Sequence, residues 1–443
     1  MVVNEMNLKK IILPLLIGVI CAFLYVYLDN KMFIAMIGGI ALICMSLYNV
    51  NIGIGVALFT FPFVTKSQAL LLLAFIAVIF AFDRMFINNH RIRKSHMDIP
   101  ILLFIMMIII STLLSTDING SIRDLAIHII SICFMFTMIN SIKNKQELNI
   151  LITIFIMSAV LVSIYGLYQY KIGIKADSAW VDVANNPDLK TRVYSIFGNP
   201  NILAEYLIMA LPFSVALFWS SKNMLKKATF LVTTLILTIT LVLTFSRGGW
   251  LGFAFGLFIF IIIVEKRLLL AAIPVGILSI FLMPASIFHR LMTITNLSDS
   301  SNAYRIKVWS ITLDIIRDNW LTGVGFGYLP FKSTFVKYIR TMNVYHSHNM
   351  YLETFSEMGI LGILSLIFLI FIVFKYSIIA IKKSDAYIST LGAGALAAFA
   401  SILFHGLFEN VLYLPRIIIT FWIVIGFILT IQKLANLEGN KGI

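Results

Sequence analysis

Residues 249–264 read GWLGFAFGLFIFIIIV, an uninterrupted run without a charged side chain. Arg247 lies just before the run, and Glu265, Lys266 and Arg267 follow it directly. An α-helix rises about 1.5 Å per residue, so a run of this length approaches the thickness of the hydrocarbon core of a bilayer. The stretch therefore predicts a transmembrane helix with charged residues at both ends.

The rest of the chain repeats this pattern. Its 443 residues are 60% hydrophobic and only 12% charged, with a mean hydropathy of +0.97. The strict apolar–polar alternation of a transmembrane barrel is absent, which leaves helices as the spanning structure. The sequence predicts an all-α polytopic membrane protein with 12–14 transmembrane helices and one large, outward-facing, partly helical loop. The predicted spans are 11–28, 32–48, 50–64, 68–86, 99–114, 125–140, 148–168, 200–219, 228–245, 249–264, 268–284, 357–376, 389–408 and 415–432.

The distribution of lysine and arginine predicts the orientation of these helices. The basic residues in short connections recur in every second connection, which places all of them on one side. Such a bias is typical of the cytoplasmic side, so the net charge of +14 reflects topology and does not indicate nucleic acid. We expect both termini in the cytoplasm and the long polar segments, 169–199 and 285–356, on the outside.

Three parts of the chain follow from this topology. We expect N-terminal helices and the first outward loop in 1–190, a transmembrane core with the large loop 285–356 in 191–432, and a short cytoplasmic tail in 433–443.

Several charged residues fall at the predicted outer ends of helices. His346 and His348 precede an apolar run, and a histidine at such a boundary can exchange a proton near neutral pH. Arg247 is either an anchor in the membrane interface or a ligand for an anion, and the same alternatives apply to Arg192. Arg305 lies near the start of a predicted interfacial helix. His405 and Glu409, four residues apart, are assigned a structural role, as a pair or with an outward arginine.

Three stretches together resemble the O-antigen ligase and polymerase superfamily. They are SRGGWL at 246–251, the segment Tyr304–Gly327, and His348-Asn349 followed by Gly359 and Gly362. The segment Arg192–Asn201 is also similar to the corresponding part of many members. The resemblance covers about residues 190–430, and the preceding helices match only in being apolar.

The resemblance implies a glycosyltransferase on the outer face of the bacterial cytoplasmic membrane that needs no nucleotide, cofactor or metal. Its expected donor is a glycan on a polyprenyl diphosphate carrier, usually undecaprenyl diphosphate, and its acceptor is a hydroxyl of a glycan or lipid. Membrane lipids and polysaccharide-assembly proteins are the other expected partners, and nucleic acid is not. Whether the protein is a ligase or a polymerase stays open, although residue usage typical of an A/T-rich genome weakly favours a surface without lipopolysaccharide.

The resemblance also implies roles for individual residues. The family histidine falls on His348 and the family arginines on Arg247 and Arg305, which are the predicted catalytic residues. Arginine forks stabilise a departing diphosphate, and a neutral histidine accepts the proton of the acceptor hydroxyl, in a displacement that inverts the sugar. Predicted substrate-binding residues are Arg192, Glu353 and His346.

Two other classes of protein are compatible with the composition. A transporter or flippase of lipid-linked sugars would carry charged residues deep within its helices and an inverted repeat, and neither is evident. A non-catalytic cell-envelope assembly protein is the second alternative.

Overall fold

A computed structural model describes residues 29–87, 95–174, 191–294, 296 and 299–439, and this part of the chain contains no β-strand. The helices are α1 (Asn30–Tyr48), α2 (Val50–Thr60), α3 (Lys66–Phe82, continued by a π-helical turn, Asp83–Ile87), α4 (Asp98–Leu113), α5 (Ile118–Ser141), α6 (Lys145–Lys171), α7 (Pro200–Ser220), α8 (Met224–Leu243), α9 (Arg247–Val264), α10 (Leu268–Leu282), α11 (Ala285–Met292), α12 (Ser300–Asp318), α13 (Tyr328–Tyr338), α14 (Met350–Lys383), α15 (Ala386–His405) and α16 (Pro415–Gly439).

The predicted all-α polytopic architecture is confirmed. Among the described residues, nine helices are long and apolar enough to cross a membrane: α3, α5 to α9, and α14 to α16. Shorter apolar helices at α1, α2, α4 and α10 coincide with four more predicted spans, whereas the span predicted at 11–28 lies outside the described residues. Helices α11 to α13 make the large loop partly helical, as predicted, and α16 continues to Gly439 beyond the predicted end at 432.

Helices α7, α15 and α16 form the centre of the bundle. Buried residues make up 83% of the apolar stretch of α15 and 94% of that of α16. For α8, at the periphery, the share is 17%. Small residues allow α9 to lie close to α15, because Gly248, Gly252 and Gly256 are spaced four apart on one helix face. A Cβ atom at Gly252 would lie 2.8 Å from the carbonyl oxygen of Ser401, and one at Gly256 would overlap the Ser401 side chain.

Side-chain caps fix where the helices around the large loop begin. Asn199 accepts a hydrogen bond from Asn201 N at the start of α7, with Pro200 in the first turn as the sequence predicts. Asn349 accepts from Tyr351 N (2.9 Å) and Leu352 N (3.0 Å) at the start of α14, seven residues before the predicted span.

Helix α14 bends at Gly359, where φ is 65° and ψ is −167°. This backbone conformation suits glycine, and a Cβ atom there would strike the Leu321 carbonyl. The large loop docks into the bend, because Ile360 N donates to Trp320 O at 2.8 Å and Val324 N donates to Ser356 O at 2.9 Å. The loop is therefore attached to the membrane helices on both sides of the bend.

Two connections predicted to be cytoplasmic lie together at one end of the bundle. Lys145 Nζ at the start of α6 is 2.7 Å from the Asp385 carboxylate, which caps α15. The candidate site described next lies at the opposite end of α15.

Candidate functional site

A single carboxylate joins the two histidines and one of the arginines that the sequence singled out. Glu409, four residues beyond α15, lies with Oε1 2.7 Å from His348 Nδ1 and 3.4 Å from His346 Nδ1. Its second oxygen, Oε2, is 3.7 Å from a terminal nitrogen of Arg305. The guanidinium of Arg305 is also fixed by the Phe408 carbonyl, which accepts from Nε at 3.0 Å. The structure thus brings His346, His348 and Arg305 together around Glu409.

The charges around Glu409 keep it ionised. Burial alone would raise its pKa, but the contacts with His348 and the positive charge of Arg305 hold the pKa of this carboxyl well below its usual range. When the His348 ring is neutral, an ionised carboxylate at 2.7 Å accepts its Nδ1 proton and leaves Nε2 with its lone pair. Among the described residues, no hydrogen bond is made to that Nε2 atom.

His346 lies beside His348 in the same loop. Burial is the main reason that the pKa of His346 is lowered to about 3. Its ring centroid lies 4.2 Å from that of His348. His346 is therefore neutral across physiological pH, and its ring lies tilted against that of Tyr413, with 4.4 Å between the ring centroids.

The loop that carries the histidines is held in a strained conformation. His348 has a φ of 54°, in the left-handed region that costs a non-glycine residue about 1–3 kcal/mol. The Ser347 amide next to it donates to a carboxylate oxygen of Glu353, which is only 2% exposed, and Ser347 Oγ donates to Asn349 O at 2.8 Å. Asn349 Nδ2 donates to Leu407 O at 3.0 Å. Glu353 thus lies behind the histidine loop and supports it.

Arg247 lies at the start of α9 and is bound by the large loop. One terminal nitrogen is 2.9 Å from Asp299 Oδ1, and the other donates to Thr293 O at 2.7 Å. Asp299 is fully buried, and its other oxygen is 3.9 Å from Arg290. Asn302 contributes a further acceptor to Arg247 at 3.1 Å. A buried carboxylate thus orients two arginines at once.

Arg192 approaches the same place from the first long loop. Its Nε donates to Thr244 O at 2.9 Å and a terminal nitrogen donates to Asn201 Oδ1 at 3.1 Å. Arg290 Nε donates to Phe245 O at 3.2 Å, one residue further along.

The four arginines are close enough to repel one another. Burial lowers the pKa of Arg192, and the positive charges of Arg290, Arg247 and Arg305 lower it further. An anion placed among them would relieve this repulsion, and arginine forks suit phosphate oxygens in particular. We call Arg192, Arg247, Arg290 and Arg305 the arginine cluster.

Left-handed backbone conformations recur on the segments that form the site. Among the described residues, the non-glycine residues with positive φ are Ser195, Phe245 and His348. Ser195 is held by Gln169, whose Oε1 accepts from Ser195 N at 2.7 Å while its Nε2 donates to Ser195 O at 3.0 Å. Such strain persists only where the surroundings fix it, and it concentrates at functional sites.

A second buried histidine–carboxylate pair lies beneath the site. His405 Nε2 is 3.4 Å from Glu205 Oε1, and both side chains are 3% exposed. A Cβ atom at Gly248 would lie 2.8 Å from His405 Nδ1, so this glycine makes room for a histidine ring. His405 and Glu409, which the sequence grouped together, therefore have different partners.

The atoms of His346, His348 and Glu409 also have the arrangement of a metal site. Their nearest nitrogen and oxygen atoms all lie within 4.8 Å of one another. Two features oppose a cation here: the positive charge of Arg305 beside Glu409, and the hydrogen bond from His348 N to His346 Nδ1 at 3.3 Å. The expectation that no metal is used stays a prediction.

Sequence reasoning did not identify three charged members of this site. Glu409 was assigned a structural role, and Arg290 and Asp299 were not singled out. Glu409 and His348 are separated by 61 residues, and no spacing rule connects them. The one available signal was their shared position at predicted outer helix ends.

Residues 232–367 match the family model described as O-antigen ligase. This part of the chain is similar to that family. The predicted resemblance to the O-antigen ligase and polymerase superfamily is thereby confirmed, and it supports a membrane glycosyltransferase-like activity with lipid-linked glycan substrates. The matched residues include Arg247, Arg305 and His348, whereas Glu409 lies beyond them. No curated protein matches the chain.

Proposed function

We propose that this protein is a metal-independent, inverting glycosyltransferase of surface polysaccharide synthesis. It moves a glycan from a polyprenyl diphosphate carrier, undecaprenyl diphosphate in the first instance, to an acceptor hydroxyl on the outer face of the cytoplasmic membrane. The observation that carries the proposal is the position of Glu409, which bonds His348 through one oxygen and faces Arg305 with the other. A proton acceptor and an anion-binding group therefore adjoin each other.

His348 is the proposed general base. Its Nδ1 proton is engaged by Glu409, so Nε2 takes the proton of the acceptor hydroxyl as the oxygen forms its bond to the anomeric carbon. The bond from that carbon to the diphosphate oxygen breaks at the same time, and attack from the opposite face inverts the anomeric centre. The ionised Glu409 stabilises the imidazolium that results.

The arginine cluster is the proposed site of the leaving diphosphate. Negative charge develops on the diphosphate oxygen as the glycosidic bond breaks, and fixed cations nearby lower the energy of that state. Arg247 is oriented by Asp299 at 2.9 Å, and Arg305 by the Phe408 carbonyl at 3.0 Å. Arg192 contributes to donor binding from the first long loop. Such preorganisation is most effective in a site from which water is largely excluded.

His346 and Glu353 act indirectly in this scheme. The Glu353 carboxylate supports the loop amide next to His348, so we assign it a positioning role. His346 is neutral and packs against Tyr413, where it can contact a sugar of the bound glycan.

A transfer assay in proteoliposomes tests the proposal. The donor is the carrier-linked glycan that accumulates in cells lacking the protein, and the product is followed by mass spectrometry. His348→Ala should abolish transfer, whereas His289→Ala, an exposed histidine of the large loop, should not. Undiminished transfer by correctly folded His348→Ala protein would eliminate the proposed base. Transport of the carrier across the bilayer without transfer would favour the flippase alternative.

A further inference from the structure

A cleft of about 420 Å³ opens between α3, α5 and α16, outside the arginine cluster. Its size is within the range of ligand sites. Lys66 and Arg123 supply its cationic rim, and Leu70 and Ile127 lie among its apolar lining. Each apolar residue follows one of the cations by four positions on the same helix, so it lies one turn deeper in the bundle. The cleft is thus positive at the helix ends and apolar towards the membrane interior.

The two cations of the rim are available to a ligand. In the part of the chain that the structure describes, neither Lys66 nor Arg123 takes part in a salt bridge. Asp124, the neighbour of Arg123, directs its carboxylate at the Tyr328 amide, 3.2 Å away.

A continuous row of rings connects this cleft to His348. The ring of His346 lies 4.2 Å from that of His348 and 4.4 Å from that of Tyr413. Tyr413 in turn lies 5.7 Å from Tyr328, whose hydroxyl is 3.4 Å from Arg123. Rings with a polar edge pack against the apolar faces of sugars and hydrogen-bond their hydroxyls. This aromatic row offers a glycan a path from the cleft to the proposed base.

We propose that the cleft binds the anionic head of the acceptor, which is a second glycan linked to a polyprenyl carrier. Its sugars lie along the aromatic row, and its terminal hydroxyl reaches Nε2 of His348. A cationic rim above an apolar interior suits a phosphate attached to a lipid, whereas a lipid-free glycan would need no apolar interior. The inference rests on the proposed function and makes the protein a polymerase, with donor and acceptor carriers in two separate anion sites.

Native mass spectrometry of the purified full chain in detergent, with undecaprenyl diphosphate as the probe, tests the inference. We expect two bound carriers for the wild-type protein and one for Lys66→Ala/Arg123→Ala. The carrier that remains in this variant shows that the arginine cluster is still folded. In the transfer assay, the same variant should raise the KM for a carrier-linked acceptor about tenfold and leave the KM for the donor unchanged. The control Arg317→Ala, an arginine 74% exposed on α12, should bind two carriers.

The failures of the two proposals differ in this experiment. If the wild-type protein binds one carrier that is lost in Arg247→Ala and kept in Lys66→Ala/Arg123→Ala, the acceptor cleft is wrong and the proposed transferase remains. If Arg247→Ala/Arg305→Ala binds as many carriers as the wild type, the proposed donor site is wrong. This conclusion does not depend on whether the cleft binds a carrier. Two carriers bound by Lys66→Ala/Arg123→Ala also overturn the acceptor cleft.

Discussion

His348 and Glu409 meet at 2.7 Å between Nδ1 and Oε1, although 61 residues and two membrane helices separate them in the chain. The contact fixes which imidazole nitrogen carries the proton and which is left to accept one. The ring is held against the outer end of α15, where Glu409 also faces Arg305. The same side chain therefore orients the proposed base and one of the arginines proposed to bind the diphosphate.

Replacing Glu409 tests this arrangement. Glu409→Gln keeps the size of the side chain but loses the charge that stabilises an imidazolium, so we expect kcat to fall about 10²-fold or more. The KM for the donor should change much less if Arg305 keeps its bond to the Phe408 carbonyl. Steady-state kinetics in proteoliposomes separate the two constants, with Glu265→Gln at the other end of α9 as the control. An unchanged kcat would remove Glu409 from the mechanism.

The stability of the protein should depend on His346 in acid. The folded pKa of about 3 lies below the ordinary value of 6.5, so between these values the unfolded chain binds the proton more readily. The contribution of neutral His346 is complete above pH 6.5 and is lost as the pH falls towards 3. We expect the Tm of the wild type to drop more steeply between pH 7 and pH 4 than that of His346→Gln.

Thermal unfolding in detergent across this pH range measures the difference. Glu409, whose pKa is also depressed, destabilises both proteins in acid, so the difference between the two curves measures His346 together with its contact with Glu409. His289→Gln should follow the wild type, and parallel curves for wild type and His346→Gln would contradict the prediction.

Asp299 should matter for both stability and donor use. It is fully buried and lies 2.9 Å from Arg247 and 3.9 Å from Arg290, so Asp299→Asn leaves buried arginines without their counter-charge. Breaking a buried pair on one side costs about 3–5 kcal/mol. Asp314→Asn removes an exposed partner of Arg317 and should cost less than about 1 kcal/mol. Equal effects of the two substitutions on unfolding would show that burial around Asp299 is unimportant.

Close packing of α9 on α15 should be required for activity. Gly256→Val places a branched side chain against Ser401 and the Ala397 carbonyl, and such overpacking costs about 1–3 kcal/mol. It should also lower the transfer rate, because Arg247 begins α9 and Glu409 follows α15. The matched control is Gly276→Ala on α10, which meets open space and should be neutral in both the unfolding and the transfer measurement.

The helices were predictable because a membrane span is a local property of the sequence. Each predicted span from 32–48 onward coincides with a helix, and the Asn199-Pro200 start was found from capping rules alone. The start of α14 was placed seven residues too late because its first turns carry Glu353, whose charge lowers the hydropathy although the side chain is buried.

The sequence identified individual residues of the site but not the contacts between them. Arg247, Arg305 and His348 were found from motifs, but Asp299 and Glu409 act through contacts that only the folded chain creates. The glycines after Arg247 also have a packing role that only the fold shows. Gly248 and Gly249 lie against His405 and Ala204, because α9 continues through them and packs on its neighbours.

Glu409 contacts both His348 and Arg305, so binding of the donor and activation of His348 are coupled. A diphosphate bound to Arg305 neutralises part of the positive charge that faces Glu409. The negative charge of Glu409 then acts more strongly on the imidazole of His348. Arrival of the donor would therefore prime the base, and an unloaded enzyme would hold a weaker one. The expected kinetic order is therefore donor first and acceptor second.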